Sequence, residues 1–502
     1  PVIPLPLGAD NSQGNVHIVN KQGAGGLTYT LSPSALLEFR LGITKTIGGK
    51  WPLQLGMPDM QKEYGIPGLP TDPSIAGGLN TQNIGGYQGL GRRSSVPQFQ
   101  NPLLINPKVN LSKVLSRHTM KFGYEFQTIH TEINDFSPQY GRDSYSGQFS
   151  RPSGARADNM YNVADFLFGA RSAYALTTFV VVNYRQRMNF LYFQDDFKVS
   201  PRLTLNVGAR YEYATPQWEA DNRLSNFDPA GVKIILAKSG GIYDRALVKP
   251  DRNNWAPRVG FAFNLTRRTV LRSGYGISYI HFNRLGGENV LSYNGPTVIG
   301  VSIDQVPTNP ICAADQATPS CFRPIMMGYP PNFISPDRFS TLTARTNYTP
   351  ADNRTAYVQS WHFTIQREVA RDLVLDLAYV GNRGVKLMIL ADYNQARPNN
   401  PNENLVLQAR RPIQSFSEIQ ISWGGGFSTY HGLQTKLERK FSGGLYFLDS
   451  FTWSKVLDNA PGHLEVYNGD SSRVNYRDMK HEKGVGGYNQ PFNNTTTLVY
   501  DL

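Results

Sequence analysis

The stretch MNFLYFQDDFKVSPRLTLNVGARYEY, Met188 to Tyr213, holds two runs of about ten residues meeting at Ser200-Pro201. In the second run Leu203, Leu205, Val207, Ala209, Tyr211 and Tyr213 share one face, and Thr204, Asn206, Gly208, Arg210 and Glu212 share the other. Successive side chains of a strand point to opposite sides of a sheet, so this alternation predicts strands. The first run is less regular: Met188, Phe190 and Tyr192 fall in phase with Gln194, Asp196 and Lys198. Its apolar row therefore changes sides near Phe193, which a bulge or a position at the rim would each explain.

The same paired pattern recurs outward from this stretch. Leu36 to Ile47 is a further strand, followed by a Gly/Pro-rich loop to about Gln100. Leu103 to Val114 pairs with His118 to His130, Ala256 to Leu265 with Thr269 to Phe282, and Tyr357 to Val369 with Asp372 to Gly381. Tyr430 to Phe441 pairs with Gly444 to Lys455 about a bend at Ser442-Gly443, and Asn493 to Leu502 reads as one more strand. These are about twelve strands, joined alternately by turns of a few residues and by long polar loops. Strands of about 9 to 11 residues with short turns at one end and long loops at the other are the requirement of an antiparallel transmembrane β-barrel of the outer-membrane type. Within one loop, Asp158 to Phe168 predicts a short helix capped by Asp158. Gly23 to Gly26 and Gly85 to Gly91 read as flexible loops.

Composition agrees with this fold class. A 40% hydrophobic content and a mean hydropathy of -0.38 exclude a bundle of membrane helices, and the longest apolar approach, Val163 to Val182, is interrupted by Asp165 and Arg171. The 27 Tyr, 26 Phe and 6 Trp suit aromatic belts at two membrane surfaces. The net charge of +12 comes from scattered Lys and Arg without a dense basic block, which argues against nucleic acid and suits an anionic outer leaflet of outer-membrane lipid and lipopolysaccharide. A β-propeller would need turns at a fixed spacing, and the spacing here is uneven.

Catalytic signatures are not found. The run Gly48-Gly49-Lys50 is followed by Trp51 where a phosphate loop needs a hydroxyl, and neither a zinc-protease nor a nucleophile-elbow motif occurs. No enzymatic activity, metal or cofactor is expected. His118, His281, His362 and His431 fall in or beside strands, as rim or lumen residues. Arg210 and Glu212 lie opposite the apolar row of their strand, and Arg258 lies opposite Val259, Phe261 and Phe263. If the apolar rows meet lipid, these charges face the interior, either to contact a solute or a plug or to solvate the lumen and pair across strands. Cys312 and Cys321 share one loop, where both a disulfide and two free thiols fit the spacing.

Several of these stretches resemble the barrel of TonB-dependent transporters, and more narrowly its Oar-like branch. They are NFLYFQDDFKVSPRLTLNVGARYEY (Asn189 to Tyr213), NNWAPRVGFAFN (Asn253 to Asn264), LDLAYVGNRG (Leu375 to Gly384) and YHGLQTKLERKFSGGLYFLDSFTWSKVLD (Tyr430 to Asp458). RHTMKFGYEF (Arg117 to Phe126) and ADFLFG (Ala164 to Gly169) fit the same branch, so the resemblance covers most of Arg117 to Leu502. It implies an outer-membrane receptor that passes a solute inward when the TonB complex pulls on a plug. A plug, a TonB-contacting segment and a secretory leader are not recognisable in this chain. Residues 1–35 are poorly assigned, and residues 36–502 are expected to be an incomplete piece of a larger barrel of about 22 strands. A passive porin or a surface adhesin is the alternative, and a soluble β-rich binding protein is the third reading.

Overall fold

The computed structural model describes residues 14–58, 63, 65–281, 290–400, 403, 405–460 and 474–501. Thirteen long strands form one antiparallel wall in chain order: β1 (Asn15–Ser32), β2 (Ala35–Trp51), β3 (Gln98–Leu115), β4 (His118–Asn134), β5 (Val182–Ser200), β6 (Leu203–Ala214), β7 (Trp255–Thr266), β8 (Thr269–Ile280), β9 (Ala356–Ala370), β10 (Leu373–Asp392), β11 (Ile419–Ser442), β12 (Leu445–Asp458) and β13 (Phe492–Tyr500). Three short pieces, Trp218–Glu219, Thr346–Tyr348 and Gly484–Val485, extend the same sheet at its loop end. Among the described residues β1 and β13 do not pair with each other, so the barrel is not closed.

The strand beyond the expected twelve is β1. Gly23 to Gly26, expected as a flexible loop, lie in its middle, paired in register with Ile43 to Arg40 of β2. The correction has a simple cause: glycine carries no side chain, so it hides the alternation while leaving its backbone free to join a ladder. Several strands also run further toward the loop end than expected, most of all β10 and β11.

Two-residue turns close every odd strand onto the next even one, so all six lie at one end of the wall. At the last of them Gly443 and Gly444 both have positive φ, 61° and 75°, the pair of conformations that matches strand twist in a type I′ hairpin. The six long connections, 52–97, 135–181, 215–254, 281–355, 393–418 and 459–491, therefore share the other end.

Across the wall, one row of side chains runs through Phe197, Leu205, Phe261, Ser273, Phe363, Tyr379, Leu433, Trp453 and Phe492 on successive strands from β5 to β13. Trp453 is 57% exposed and Phe492 63%. A solvent-facing apolar row of this length is a lipid-facing surface. The opposite face is the polar one. No register shift interrupts β5 near Phe193, so the bulge is excluded. Met188 and Phe190 lie on the polar face and are buried there against Ile129, while Leu191, Phe193 and Phe197 face lipid. Asp195, in phase with the lipid-facing residues, sits near a short turn and pairs with His118 Nδ1 at 2.6 Å.

The long loops turn inward and carry their own cores. Ile133, Val182 and Tyr184 from the wall pack with Phe136, Leu224, Leu247, Leu291 and Val298 from the loops, and Ile389, Ala391, Ile419 and Ile421 pack with Phe227, Tyr348, Phe416 and Val474. Three loops supply a small four-stranded sheet ordered Gly300–Asp304, Ala173–Thr177, Arg142–Tyr145, Thr81–Ile84. The expected helix is present as α1 (Asn159–Leu167), and the Asp158 carboxylate accepts the Met160 N–H at 2.8 Å. In the loop 281–355, Cys312 and Cys321 are joined as a disulfide, with Cα atoms 4.9 Å apart.

Arg171, which interrupts the apolar run of the sequence, is fully buried at the centre of this layer. Its guanidinium donates to Asp143 Oδ1 at 2.6 Å and to the carbonyls of Arg323 and Gly328, and lies over the Tyr174 ring. Asp143 also accepts from Asn80 Nδ2 at 2.7 Å, Gln82 Nε2 at 3.0 Å and the Tyr329 hydroxyl at 3.2 Å. One ion pair thus ties three separate loops. Burial, and then the Asp143 charge, hold the Tyr329 hydroxyl well above the ordinary tyrosine range.

Two outcomes follow for the loop layer. Arg171→Ala strands the Asp143 carboxylate in a dry site, at a cost of about 3–5 kcal/mol, so limited proteolysis will cleave the loops of the variant while the wall still migrates as a folded barrel on unheated gels. A raised tyrosine pKa means that the folded layer keeps a proton which the unfolded loops lose above about pH 10. The layer keeps its full stability below that pH and loses it as pH rises further, to be read as protease resistance that falls from about pH 10 upward.

Candidate functional site

Polar residues of β5 to β8, under the inward-turned loops, form the most elaborated patch of the inner face. Arg210 and Glu212 alternate out of the lipid-facing row of β6 as expected, and both lie on the polar face. Arg210 is opposite Tyr192 on β5 and Ala256 on β7. Two residues along β7, Arg258 stands between Gly208 and Gly276, so the three predicted residues are brought to neighbouring register positions. Arg258 is exposed, and its side chain has no hydrogen-bond or ion-pair partner among the described residues.

Glu212 is the centre of the patch. Its Oε1 lies 2.8 Å from Arg210 Nε, an ion pair whose N–H is not aligned on the carboxylate, and its Oε2 lies 2.8 Å from His281 Nε2. The Arg210 guanidinium is 4.8 Å from the centre of the Phe190 ring, and the His281 ring is 5.5 Å from the same phenyl. Phe190 thus covers both partners of one carboxylate, which shields the cluster and strengthens its interactions.

A small cavity of about 110 Å³ adjoins His281, between Gln186 and Ala214 of the wall and Lys249, Arg354 and Met388. Asp251 at its edge is committed: it accepts from Arg354 NH1 at 3.0 Å and from the Thr355 N–H at 2.9 Å. Lys249 has no side-chain partner among the described residues and is exposed. The arrangement offers charged and polar groups that can bind and orient a solute, and among the described residues it pairs no nucleophile with a base. No group of three or more metal-ligating side chains comes together among the described residues.

Alternation along β6 is enough to find Arg210 and Glu212, but nothing local marks His281 as the partner of a carboxylate 69 residues earlier. The other strand histidines divide by face. His362 lies on the polar face against Gly274. His431, expected at the rim or lumen, lies instead on the lipid face, where its Nδ1 meets the Tyr379 hydroxyl at 2.7 Å and Trp361 flanks its ring.

A family model described as an outer membrane beta barrel domain matches residues 2–502. The chain belongs to that family. The barrel domain is accordingly a protein of the cell outer membrane, and its short turns and long loops have the asymmetry of that class. No curated protein matches it. Among solved structures it is similar to the outer membrane transporter YddB from Escherichia coli, with 11% identity, a TM-score of 0.54, and coverage of 97% of this chain and 49% of that one. It also matches the ferric yersiniabactin uptake receptor FyuA from Yersinia pestis (7% identity, TM-score 0.41, 96% and 47%) and the Ferric-Catecholate import receptor Fiu from K12 E. coli (10%, 0.40, 90% and 49%). The barrel domain spans about half the length of these structures, and the likeness to YddB is one of fold.

Substitutions at the patch separate its paired from its unpaired charges. Glu212→Ala removes the carboxylate that pairs with Arg210 and His281, a loss of about 1.5–3 kcal/mol that lowers the temperature at which the barrel loses its compact gel mobility. Arg258→Ala removes a guanidinium without partners and leaves that temperature unchanged, within about 0.5 kcal/mol.

Proposed function

We propose that this chain is part of the wall of an outer-membrane receptor that binds a solute under its loop layer and translocates it with energy from the TonB complex, delivered through a plug. The observation that carries this reading is the inward folding of the loops, which places an organised layer with its own buried ion pair over the polar face. An open passive pore has no need of such a layer, whereas a receptor must hold its solute before committing it to transport. The similarity of fold to an outer membrane transporter supports the reading, as does membership in the outer-membrane barrel family. In this proposal Arg258 and Lys249 offer free cationic groups to the solute or the plug, and the Arg210–Glu212–His281 cluster fixes the surface around them.

A surface adhesin is the second reading, favoured by large apolar side chains on the loops: Phe168 is 80% exposed and Met326 79%. Energy-coupled transport separates from passive flow and from adhesion without uptake in one set of measurements on the full-length protein. A receptor shows no steady conductance in planar bilayers, and cells carrying it take up one class from a panel of labelled ferric chelates, oligosaccharides and peptides only while TonB and the proton gradient are intact. Steady ion conductance without energy input overturns the proposal in favour of a pore, and uptake that persists without TonB overturns the energy coupling.

A further inference from the structure

The lipid-facing side of β7 to β10 is not uniformly smooth. Where the long apolar row crosses β8 it meets Ser273, a small residue among Phe261, Tyr275, Trp361, Phe363 and Tyr379. The result is an open depression of about 490 Å³, walled by these rings with Leu205, Val207 and Val259. Trp361 forms its upper edge, its ring lying over Gly381 where a Cβ would come within 2.5 Å. The Ser273 hydroxyl donates to the His362 carbonyl at 2.8 Å, so the floor of the depression presents no free donor.

Directly above it, toward the loop end of the same strands and on the same face, the chemistry changes. Ile277 and Tyr279 of β8 face Gln359 and Tyr357 of β9, and Gln359 is opposite Arg383 of β10. A second cavity, of about 270 Å³, lies here between Tyr279, Tyr357, Gln359 and Lys386. Arg383 and Lys386 are both exposed, and neither side chain has a partner among the described residues. Lys386 is held at φ 56°, a left-handed conformation that a lysine rarely adopts, where the register of β10 against β11 shifts on both sides of Leu387. Such a bulge re-aims the side chain it carries. The one carboxylate at this cavity, Asp251, is already bound to Arg354 and the Thr355 N–H.

We infer that these two cavities are one site, which seats a phosphorylated glycolipid of the outer leaflet. Tyr279 and Tyr357 mark the interface level, Lys386 and Arg383 take the phosphate, and the depression around Ser273 takes an acyl chain. The spacing suits a lipid: four residues of β9 separate Tyr357 from Trp361, about 13 Å along a strand, which is the passage from headgroup level into hydrocarbon. Two unpaired cations on the lipid face are costly without an anion and rewarding with one. A free phosphate ion would use only the upper cavity. A lipid uses both.

The test uses the full-length protein purified in mild detergent, with bisphosphorylated lipid A as probe, and with dephosphorylated lipid A and inorganic phosphate as comparison arms. Bound lipid per protein is counted by native mass spectrometry, and unheated gel mobility confirms that each variant is folded. The expected result is that R383Q/K386Q reduces retention of the bisphosphorylated probe by about tenfold, the equivalent of one charge-assisted hydrogen bond. Dephosphorylated lipid A binds the unaltered protein about tenfold more weakly, and Ser273→Leu, which fills the depression and leaves both charges, also lowers retention. Undiminished retention by folded R383Q/K386Q, or equal binding of the dephosphorylated form, overturns the site. Displacement of the lipid by millimolar inorganic phosphate overturns it in favour of an anion site. None of these readouts depends on solute transport.

Discussion

In hydrocarbon no water replaces a missing hydrogen-bond partner of the backbone, and each unsatisfied N–H or C=O costs several kcal/mol. That constraint accounts for the continuity of the wall. Each strand from β2 to β12 is paired on both sides, in chain order, and register shifts gather at the short turns and in the loop-end half of β10. It also explains why the glycines of β1 are paired as fully as the aromatics of β9: the ladder is required of the backbone whatever the side chains contribute. The outer edges of β1 and β13 stand under the same requirement.

The wall leaves side chains free to serve two solvents, and the molecule divides its chemistry accordingly. One face meets lipid with rows of Leu, Phe, Tyr and Trp, and therefore has no core in the usual sense. The buried cores lie instead at the loop end, where Tyr174, Tyr329, Ile299 and Phe333 surround the sheet made by the loops and the Arg171–Asp143 pair sits without any exposure. Stability at the two ends thus rests on different interactions. The wall depends on backbone ladders and lipid, and the loop layer depends on packing, hydrogen bonds and ion pairs, with Arg171–Asp143 fully buried among them.

How far this was legible in the sequence follows from the same division. Alternation is local, so β6, β7 and the first part of β10 could be read directly, and with them the polar-face positions of Arg210, Glu212 and Arg258. The cap of α1 was equally local, since Asp158 needs only the N–H two residues on. Met188 and Phe190 misled because apolar residues mark a lipid face only away from the loops; beneath them the polar face also buries apolar side chains. Three other features stayed hidden, each for a physical reason. The ladder of Gly23 to Gly26 carries no side-chain signal, His281 meets Glu212 across a long stretch of chain, and Arg171 looked like an interruption because its partners come from separate loops.

The Arg171–Asp143 pair also bears on the order of assembly. Its contacts come from Asn80 and Gln82, from Asp143 and Arg171 themselves, and from the carbonyls of Arg323 and Gly328, in three connections separated by pairs of wall strands. A buried ion pair cannot cross a hydrocarbon layer intact, so these connections must pass through the membrane extended and meet only on the far side. Arg171 and Asp143 belong to one connection, and their full set of partners is assembled only when the connection between β8 and β9 joins them. The complete set is therefore a record that these three connections share one side of the membrane.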